Sequence, residues 1–185
     1  MNNYKRIIVI GDGWGAVAVL KGLKNFILPV YVVSNDEDVL AIAEQIAYAD
    51  LSLYHDELLL FAGYKPIVPK VVLDANCCIN IHYSLLPTYR GLHSTVWAIL
   101  NDEDYLGATI HLMNEYIDDG EILYQYKVKN DGTSTSCQYM EMFNDKISKV
   151  VADVLERFLG GSLIPQKQDK SQASWVGRRT EKDCR

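Results

Sequence analysis

The sequence lacks any apolar run long enough to cross a membrane, which excludes a spanning helix. No secretory leader is expected. Met1 to Arg6 lead straight into Ile7-Ile8-Val9-Ile10, and Gly11-Asp12 break that run before a signal-peptide core and cleavage site could form. No cysteines stand in C-x-x-C spacing. The four present are Cys77, Cys78, Cys137 and Cys184. Adjacent cysteines rarely bridge each other, so reduced thiols in a cytoplasmic protein are expected. Metal-ligand spacing is nearly absent: only Cys78 and His82 approach it, and no second pair completes a site. Positive charge is in deficit, with 18 Lys and Arg against 24 Asp and Glu and a net charge of -6. A domain built to hold nucleic acid is more often basic, so a tRNA-sized polyanion is not the expected partner. A small anionic ligand stays open, because a few local donors suffice for it. Repeats and low-complexity segments are also missing.

What is present is an ordinary globular composition, 49% apolar and 23% charged over 185 residues, enough for one domain with a full core. Residues 5–10 form a β-rich run that ends at a glycine loop, and helical composition follows over 16–26. A second strand at 30–33 leads to a helix over 36–48, with Ser34 or Asn35 as its N-cap. A third strand covers 58–61, and a short helix over 69–74 precedes an apolar strand ending at His82. Buried strands alternating with helices predict an α/β fold with a doubly wound, mostly parallel sheet. The pattern then changes. A helix over 94–100 carries Trp97, and strands at 108–113 and 121–128 are joined by a short polar link, as in an antiparallel hairpin at the sheet edge. A long C-terminal helix over 134–159 presents Met140, Phe143, Ile147, Val150 or Val151, Val154 and Phe158 on one face, and Gly160-Gly161 stop it. The expected division is a catalytic domain over 1–160 and a tail over 161–185, polar except for Trp175-Val176.

Two motifs carry chemistry. Gly11-x-Gly13-x-x-Ala16 lies between a strand and a helix, the pattern of a dinucleotide loop with Ala for the last Gly. The acid that should follow the second strand is not clearly placed among Ser34, Asn35 and Asp36. A generic tight turn, or a phosphate contact from another ligand, outweighs nicotinamide binding. The second motif is Asn80 and His82, two apart in the apolar run Cys77-Cys78-Ile79-Asn80-Ile81-His82. In a strand, side chains i and i+2 leave the same face, so an amide and an imidazole project together near its carboxyl end. Ligands of open α/β sheets gather there. A lone His at a strand end is usually structural. Asn80, however, is a polar group inside an apolar run, which is unfavourable unless the amide is used. The acid-rich link Asp118-Asp119-Gly120 could supply a carboxylate to orient the imidazole and favour its cation. Asn with His⁺ can donate to an oxyanion formed when a carbonyl is attacked.

Asn80-Ile81-His82-Tyr83-Ser84-Leu85-Leu86-Pro87-Thr88-Tyr89-Arg90-Gly91 resembles the signature of the formyltransferases that use N10-formyltetrahydrofolate. So do Gly107-Ala108-Thr109-Ile110-His111 and Glu115-Tyr116-Ile117-Asp118-Asp119-Gly120-Glu121-Ile122-Leu123. The resemblance runs from about Leu58 to Val128. It places the family's Asn–His–Asp trio on Asn80, His82 and Asp118, the acid directly after Ile117. Tyr83 departs from the Pro common there, although sugar-modifying members look similar at that position. The resemblance implies attack of a substrate amine on the formyl carbon. Asn80 and protonated His82 would stabilise the oxyanion, and His82 with Asp118 would move protons. It also implies that the folate donor lies against Lys65, Pro66, Ile67 and Val68 and against Met113, Asn114, Glu115 and Ile117. No metal is implied.

For the amine substrate, Gly13, Trp14, Tyr89, Arg90 and His93 are the candidate contacts. An aromatic can stack on a base and Arg90 can hold a phosphate; equally, Arg90 can brace the loop and Trp97 can be core. Trp14 either covers a nucleotide or is buried against the long helix. Among family members, the methionyl-tRNA enzyme carries an added C-terminal domain that helps hold RNA. The glycinamide ribonucleotide enzyme has a phosphate loop rich in Ser and Asn, whereas Asp12 would repel a phosphate here. His93-Ser94-x-Val96-Trp97 and Trp175-Val176-Gly177-Arg178-Arg179-Thr180 look like the sugar-modifying members, in which the Arg-Arg-Thr segment leads into further chain, so a downstream region is expected to be missing here. The resemblance thus implies formylation of a nucleotide-linked amino sugar, of the dTDP-4-amino-4,6-dideoxyglucose type built into lipopolysaccharide O antigen, and leaves room for a homodimer. The alternatives are glycinamide ribonucleotide transformylase, an NAD-dependent oxidoreductase, and a non-catalytic folate- or nucleotide-binding module.

Overall fold

The structure is a computed structural model and describes residues 4–180, so Cys184 lies outside the described residues. Four short apolar segments, β1 (Ile7–Ile10), β2 (Val30–Val33), β3 (Leu58–Ala62) and β4 (Cys77–His82), pair in parallel in the order β2-β1-β3-β4. Two further strands, β6 (Tyr105–Leu112) and β7 (Ile122–Lys129), extend that sheet. β6 pairs antiparallel with β4, and β7 with β6. The mostly parallel sheet with an antiparallel edge hairpin is therefore as the sequence patterning predicts. The first hairpin strand begins three residues earlier than expected, and the second is displaced by one residue.

The strands alternate between two cores. Ile7, Val9, Leu58, Leu60, Ile79, Ile81, Ala108 and Ile110 share one cluster with α1 (Gly13–Leu23) and α5 (Ser136–Leu159). On α5, Tyr139, Phe143, Ile147, Val151 and Val154 recur at spacings of three and four and are buried, the stripe an amphipathic helix needs. Val151 takes the core position; Met140, Val150 and Phe158 pack at its edge. Each fully buried side chain of this size is worth about 1.5–3 kcal/mol in transfer free energy. Thr135 caps α5: its hydroxyl accepts from the Gln138 N–H at 3.3 Å and the Gln138 side chain accepts from the Thr135 N–H at 2.7 Å.

The other face is thinner. Ile8, Ile10, Leu59, Phe61 and Cys78 meet Tyr54, Val68 and Val72, the last on α3 (Lys70–Ala75). Along β4 this second cluster stops at Cys78. The next side chains on that face are Asn80 and His82.

Two helices differ from the sequence expectation. Helix α1 begins three residues earlier than predicted, inside the glycine loop, and Phe26 lies beyond its end. The second helix, α2 (Glu37–Ile42), stops after six residues instead of running to Tyr48. Beyond it the chain opens to pair with the outer edge of β2: Val32 donates to Gln45 O at 2.9 Å and Ala47 donates to Val32 O at 2.8 Å. Satisfying the open edge of a sheet outweighs further helix turns. The cap of α2 is Asp36, which accepts from the N–H groups of Asp38 and Val39. Neither Ser34 nor Asn35 caps it, because the Ser34 hydroxyl and the Asn35 N–H donate to Asp12.

Residues 161–180 do not trail away. Ile122 and Gln166 exchange backbone hydrogen bonds at 2.7 and 2.9 Å. The two-residue strand β8 (Trp175–Val176) pairs in parallel with β5 (Arg90–Gly91), in the loop before helix α4 (Ser94–Leu100). The segment thus lies along the two loops that carry the polar motif.

Candidate active site

Where the second cluster ends on β4, an amide and an imidazole replace apolar side chains. His82 is buried. Its Nε2 lies 2.8 Å from the carbonyl oxygen of Tyr89, which can only accept, so Nε2 carries a proton. Its Nδ1 then holds the lone pair of the neutral ring and faces Asp118 Oδ2 at 3.4 Å. Asn80 Nδ2 stands 3.4 Å from Asp118 Oδ1 and 3.2 Å from His111 Nε2. In the register of β4 with β6, His111 is directly opposite Asn80.

Asp118 sits on the hairpin link with φ 51°, a left-handed conformation unusual for a residue with a side chain. That geometry turns its carboxylate back over β4. Oδ2 accepts from the Gly91 N–H at 2.8 Å, and Oδ1 is 3.6 Å from His111 Nε2. Asp119 points elsewhere: it pairs with Arg90 at 2.7 Å and with Lys170 at 3.1 Å. The geometry therefore gathers Asn80, His82 and Asp118 and leaves Asp119 to a separate network.

Electrostatics set the charge states. Burial works to raise the Asp118 carboxyl pKa, but the hydrogen bond from His111, the positive charge on the two imidazoles and the Gly91 N–H outweigh it and hold it at about 2. Burial pushes the His82 imidazole down from its ordinary value, against the pull of Asp118 and the Tyr89 carbonyl. At neutral pH the resting pair is thus an anionic carboxylate beside an imidazole poised to take a proton at Nδ1. A proton arriving there meets Asp118 on one side, while Nε2–H stays on Tyr89. The two contacts of the Asn80 amide, 3.2 and 3.4 Å, lie at and beyond the long end of hydrogen-bond distances, so its amide can turn to a substrate carbonyl.

The proposed folate contacts adjoin one another. Val68 is buried in the second cluster and Met113 packs against the same cluster. The Asn114 side chain accepts from Tyr116 N at 2.9 Å. Lys65, Pro66, Glu115 and Ile117 are exposed, and Ile67 is 82% exposed. Pro66, Ile67 and Ile117 thus leave apolar surface in solvent on the two segments that the resemblance assigns to the folate.

The substrate candidates divide. Tyr89 and Arg90 face inward, which corrects the expectation that they meet a base and a phosphate. The Tyr89 hydroxyl donates to Glu103 at 2.6 Å and accepts from Asn101 at 3.0 Å. Arg90 is 3% exposed, engaged by Asp119 and Gln168, and lies under the Trp175 ring. His93 is exposed, and its Nδ1 lies 3.4 Å from the Arg179 N–H. Trp97 donates to Gly177 O at 2.9 Å. Trp14 is 55% exposed, so the alternative of burial against α5 does not hold. The Gly13 N–H donates to Asp36 Oδ2 at 3.0 Å.

His111 and Gln168 were not singled out from the sequence, and Asp36 stood there only as one of three candidates for the acid after the second strand. His111 was findable by the sign that exposed Asn80, a polar residue in an apolar strand. Gln168 carried no local signal.

The formyl transferase family model matches residues 5–155, and the chain belongs to that family. This extends the resemblance to both sides of the segment 58–128. Methionyl-tRNA formyltransferase of Geobacillus sp. (strain WCH70) is 32% identical over 187 residues, covering 91% of this chain and 58% of that protein. The chain spans about half the length of the curated relatives it matches. In fold it is similar to the N-formyltransferase from Helicobacter canadensis in complex with folinic acid and dTDP-3-aminofucose. That likeness has a TM-score of 0.76 at 20% identity and covers 95% of this chain and 71% of that one. A 4-N formyltransferase from Francisella tularensis gives a TM-score of 0.75 at 24% identity, over 94% and 76%. Among the described residues no group of His, Cys, Asp and Glu is placed to hold a metal, and no helix is long and apolar enough to cross a membrane.

Proposed function

We propose that the protein transfers a formyl group from N10-formyltetrahydrofolate to the amine of a nucleotide-linked amino sugar. The observation that carries the reading is the convergence of Asn80, His82 and Asp118 at the end of β4, in a chain of the formyl transferase family. When bound, the folate supplies a formyl carbon open to attack. Lys65 to Val68 and Met113 to Ile117 would hold it. His82 takes the proton released by the attacking amine at Nδ1 and returns one to the departing nitrogen. Asp118 balances the resulting imidazolium. Asn80 turns an N–H to the carbonyl oxygen as negative charge grows there.

The choice of amine rests on charge. A net charge of -6 argues against a tRNA substrate, even though the curated relatives carry that name. The carboxylate of Asp36 already occupies the Gly13 N–H at the start of α1, and Asp12 stands beside it. A phosphate there would meet two anions, which disfavours a dinucleotide on this loop and requires the diphosphate of a nucleotide sugar to lie elsewhere. The sugar complex of the Helicobacter canadensis protein supports the same choice. Free Cys77, Cys78 and Cys137 fit a reducing compartment, the cytoplasm.

The test is formyl transfer from the folate to a panel of dTDP-, UDP- and GDP-amino sugars, glycinamide ribonucleotide and methionyl-tRNA. Turnover of a nucleotide sugar well above the other two supports the reading. Transfer confined to methionyl-tRNA or glycinamide ribonucleotide refutes the substrate. No transfer to any amine, with folate still bound, leaves a binding module.

A further inference from the structure

Asp118 holds a left-handed backbone, φ 51°. Asp tolerates that region better than most residues, so what has to be explained is which groups hold the link in place. The groups that do so come from fifty residues downstream. Gln168 Nε2 donates to Asp118 O at 2.8 Å and to Gly120 O at 2.7 Å. Its Oε1 accepts from Arg90 Nη2 at 2.7 Å, and Arg90 Nη1 reaches Asp119 Oδ1 at 2.7 Å. Gln168 and Arg90 are both buried. One carboxamide therefore grips the link on both sides of Asp119, and one guanidinium ties it to β5, whose Gly91 N–H holds the Asp118 carboxylate.

We propose that Gln168 is the positioning residue of the site: its carboxamide fixes the backbone of Asp118 so that the carboxylate faces His82 Nδ1. The inference rests on reading Asp118 as the acid of the proposed reaction. A side chain placed by a single φ moves by ångströms when that φ relaxes, and misplacement of about 1 Å costs on the order of 100-fold in rate. Replacing the amide with an apolar group of similar size leaves two buried carbonyls without donors and sets the link free.

The experiment uses the full chain with Gln168→Leu, Gln168→Glu, Asp118→Asn and the Gln168→Leu/Asp118→Asn double variant. Gln168→Glu keeps a partner for Arg90 and loses both donors, so it serves if Gln168→Leu does not fold. Two quantities are read. The first is kcat and KM for formyl transfer. Gln168→Leu should lower kcat on the order of 10- to 100-fold with little change in KM, and should add almost nothing in the Asp118→Asn background, because both changes remove the same interaction. The second is the titration of the His82 ring by NMR, which needs no turnover. The charged and polar groups facing that ring are Asp118, His111 and the Tyr89 carbonyl. Freeing Asp118 should move the His82 midpoint down, as Asp118→Asn does. A folded Gln168 variant with unchanged kcat and an unchanged His82 titration overturns the proposal. So does a loss of equal size in both backgrounds, the mark of general loosening. If the wild type transfers formyl to no amine, the proposed function falls, and the His82 titration still decides the role of Gln168.

Discussion

The Gly13 N–H donates to the Asp36 carboxylate at 3.0 Å, so the start of α1 faces a carboxylate from the following β–α turn. The same carboxylate caps α2 through its other oxygen. A pyrophosphate laid against this turn would displace or confront that charge. NADH should therefore show no heat of binding in calorimetry. Asp36→Ala should cost about 1 kcal/mol of stability, the ordinary worth of a lost cap, read as a lower urea midpoint.

The trio makes a sharper demand. His82→Ala should lower kcat by roughly 10²- to 10⁴-fold, the span of a lost general acid or base. Asn80→Ala should lower it by roughly 10²- to 10³-fold, as for a lost oxyanion donor. Folate affinity should stay near the wild-type value in both, since neither side chain lies on the two loops assigned to the pterin. Steady-state rates and equilibrium titration of the folate check this, and near-wild-type rates in either variant remove that residue from the chemistry.

Stability should fall with acid in two stages. The His82 pKa is lowered in the folded state, so the unfolded chain binds the proton more readily; the stability held by the neutral ring is complete above about pH 6.5 and is lost as pH falls below it. Asp118 is lowered from 3.8 to about 2, so its contribution is complete above pH 3.8 and is lost as pH drops towards 2. Each stage can contribute a slope of up to about 1.4 kcal/mol per pH unit. Urea unfolding as a function of pH checks both. Asp118→Asn should flatten the lower stage, and an unchanged slope there would remove Asp118 as its source.

Tyr83, where the family often has Pro, is coupled to the glycine loop. Its hydroxyl donates to Asn144 Oδ1 on α5 at 2.6 Å, and a methyl group on Gly15 would stand 2.5 Å from that hydroxyl. Tyr83→Phe should cost about 1–3 kcal/mol by leaving the Asn144 oxygen unpaired. Gly15→Ala should be destabilising in the wild type and markedly milder in the Tyr83→Phe background. Urea denaturation of the four proteins measures that coupling, and strictly additive losses would deny it.

The sheet and the pairing of Asn80 with His82 were legible because they obey local rules, whereas the choice of Asp118 over Asp119 rested on the family resemblance alone. Strand period placed Asn80 and His82 on one face, and a polar residue in an apolar run marked them. The shortened α2 was not legible, since residues 43–48 have acceptable helical composition and leave the helix only to cover the edge of β2. The inward turn of Tyr89 was missed, and the role of Arg90 was left open between a phosphate contact and a loop brace, for a related reason. A sequence shows that an aromatic and a cation follow a catalytic strand, but not that Glu103, Asp119 and Gln168 arrive from elsewhere to engage them. What was missed depends on partners far apart along the chain.

The grip of Gln168 on the hairpin link has a consequence for biogenesis. A ribosome delivers the chain from its N-terminus at about 5–20 residues per second, so both catalytic loops emerge seconds before the residue that fastens them. The sheet can therefore form while the hairpin link is still without the two hydrogen bonds from Gln168, and the link gains them only once that residue has been made and laid across it.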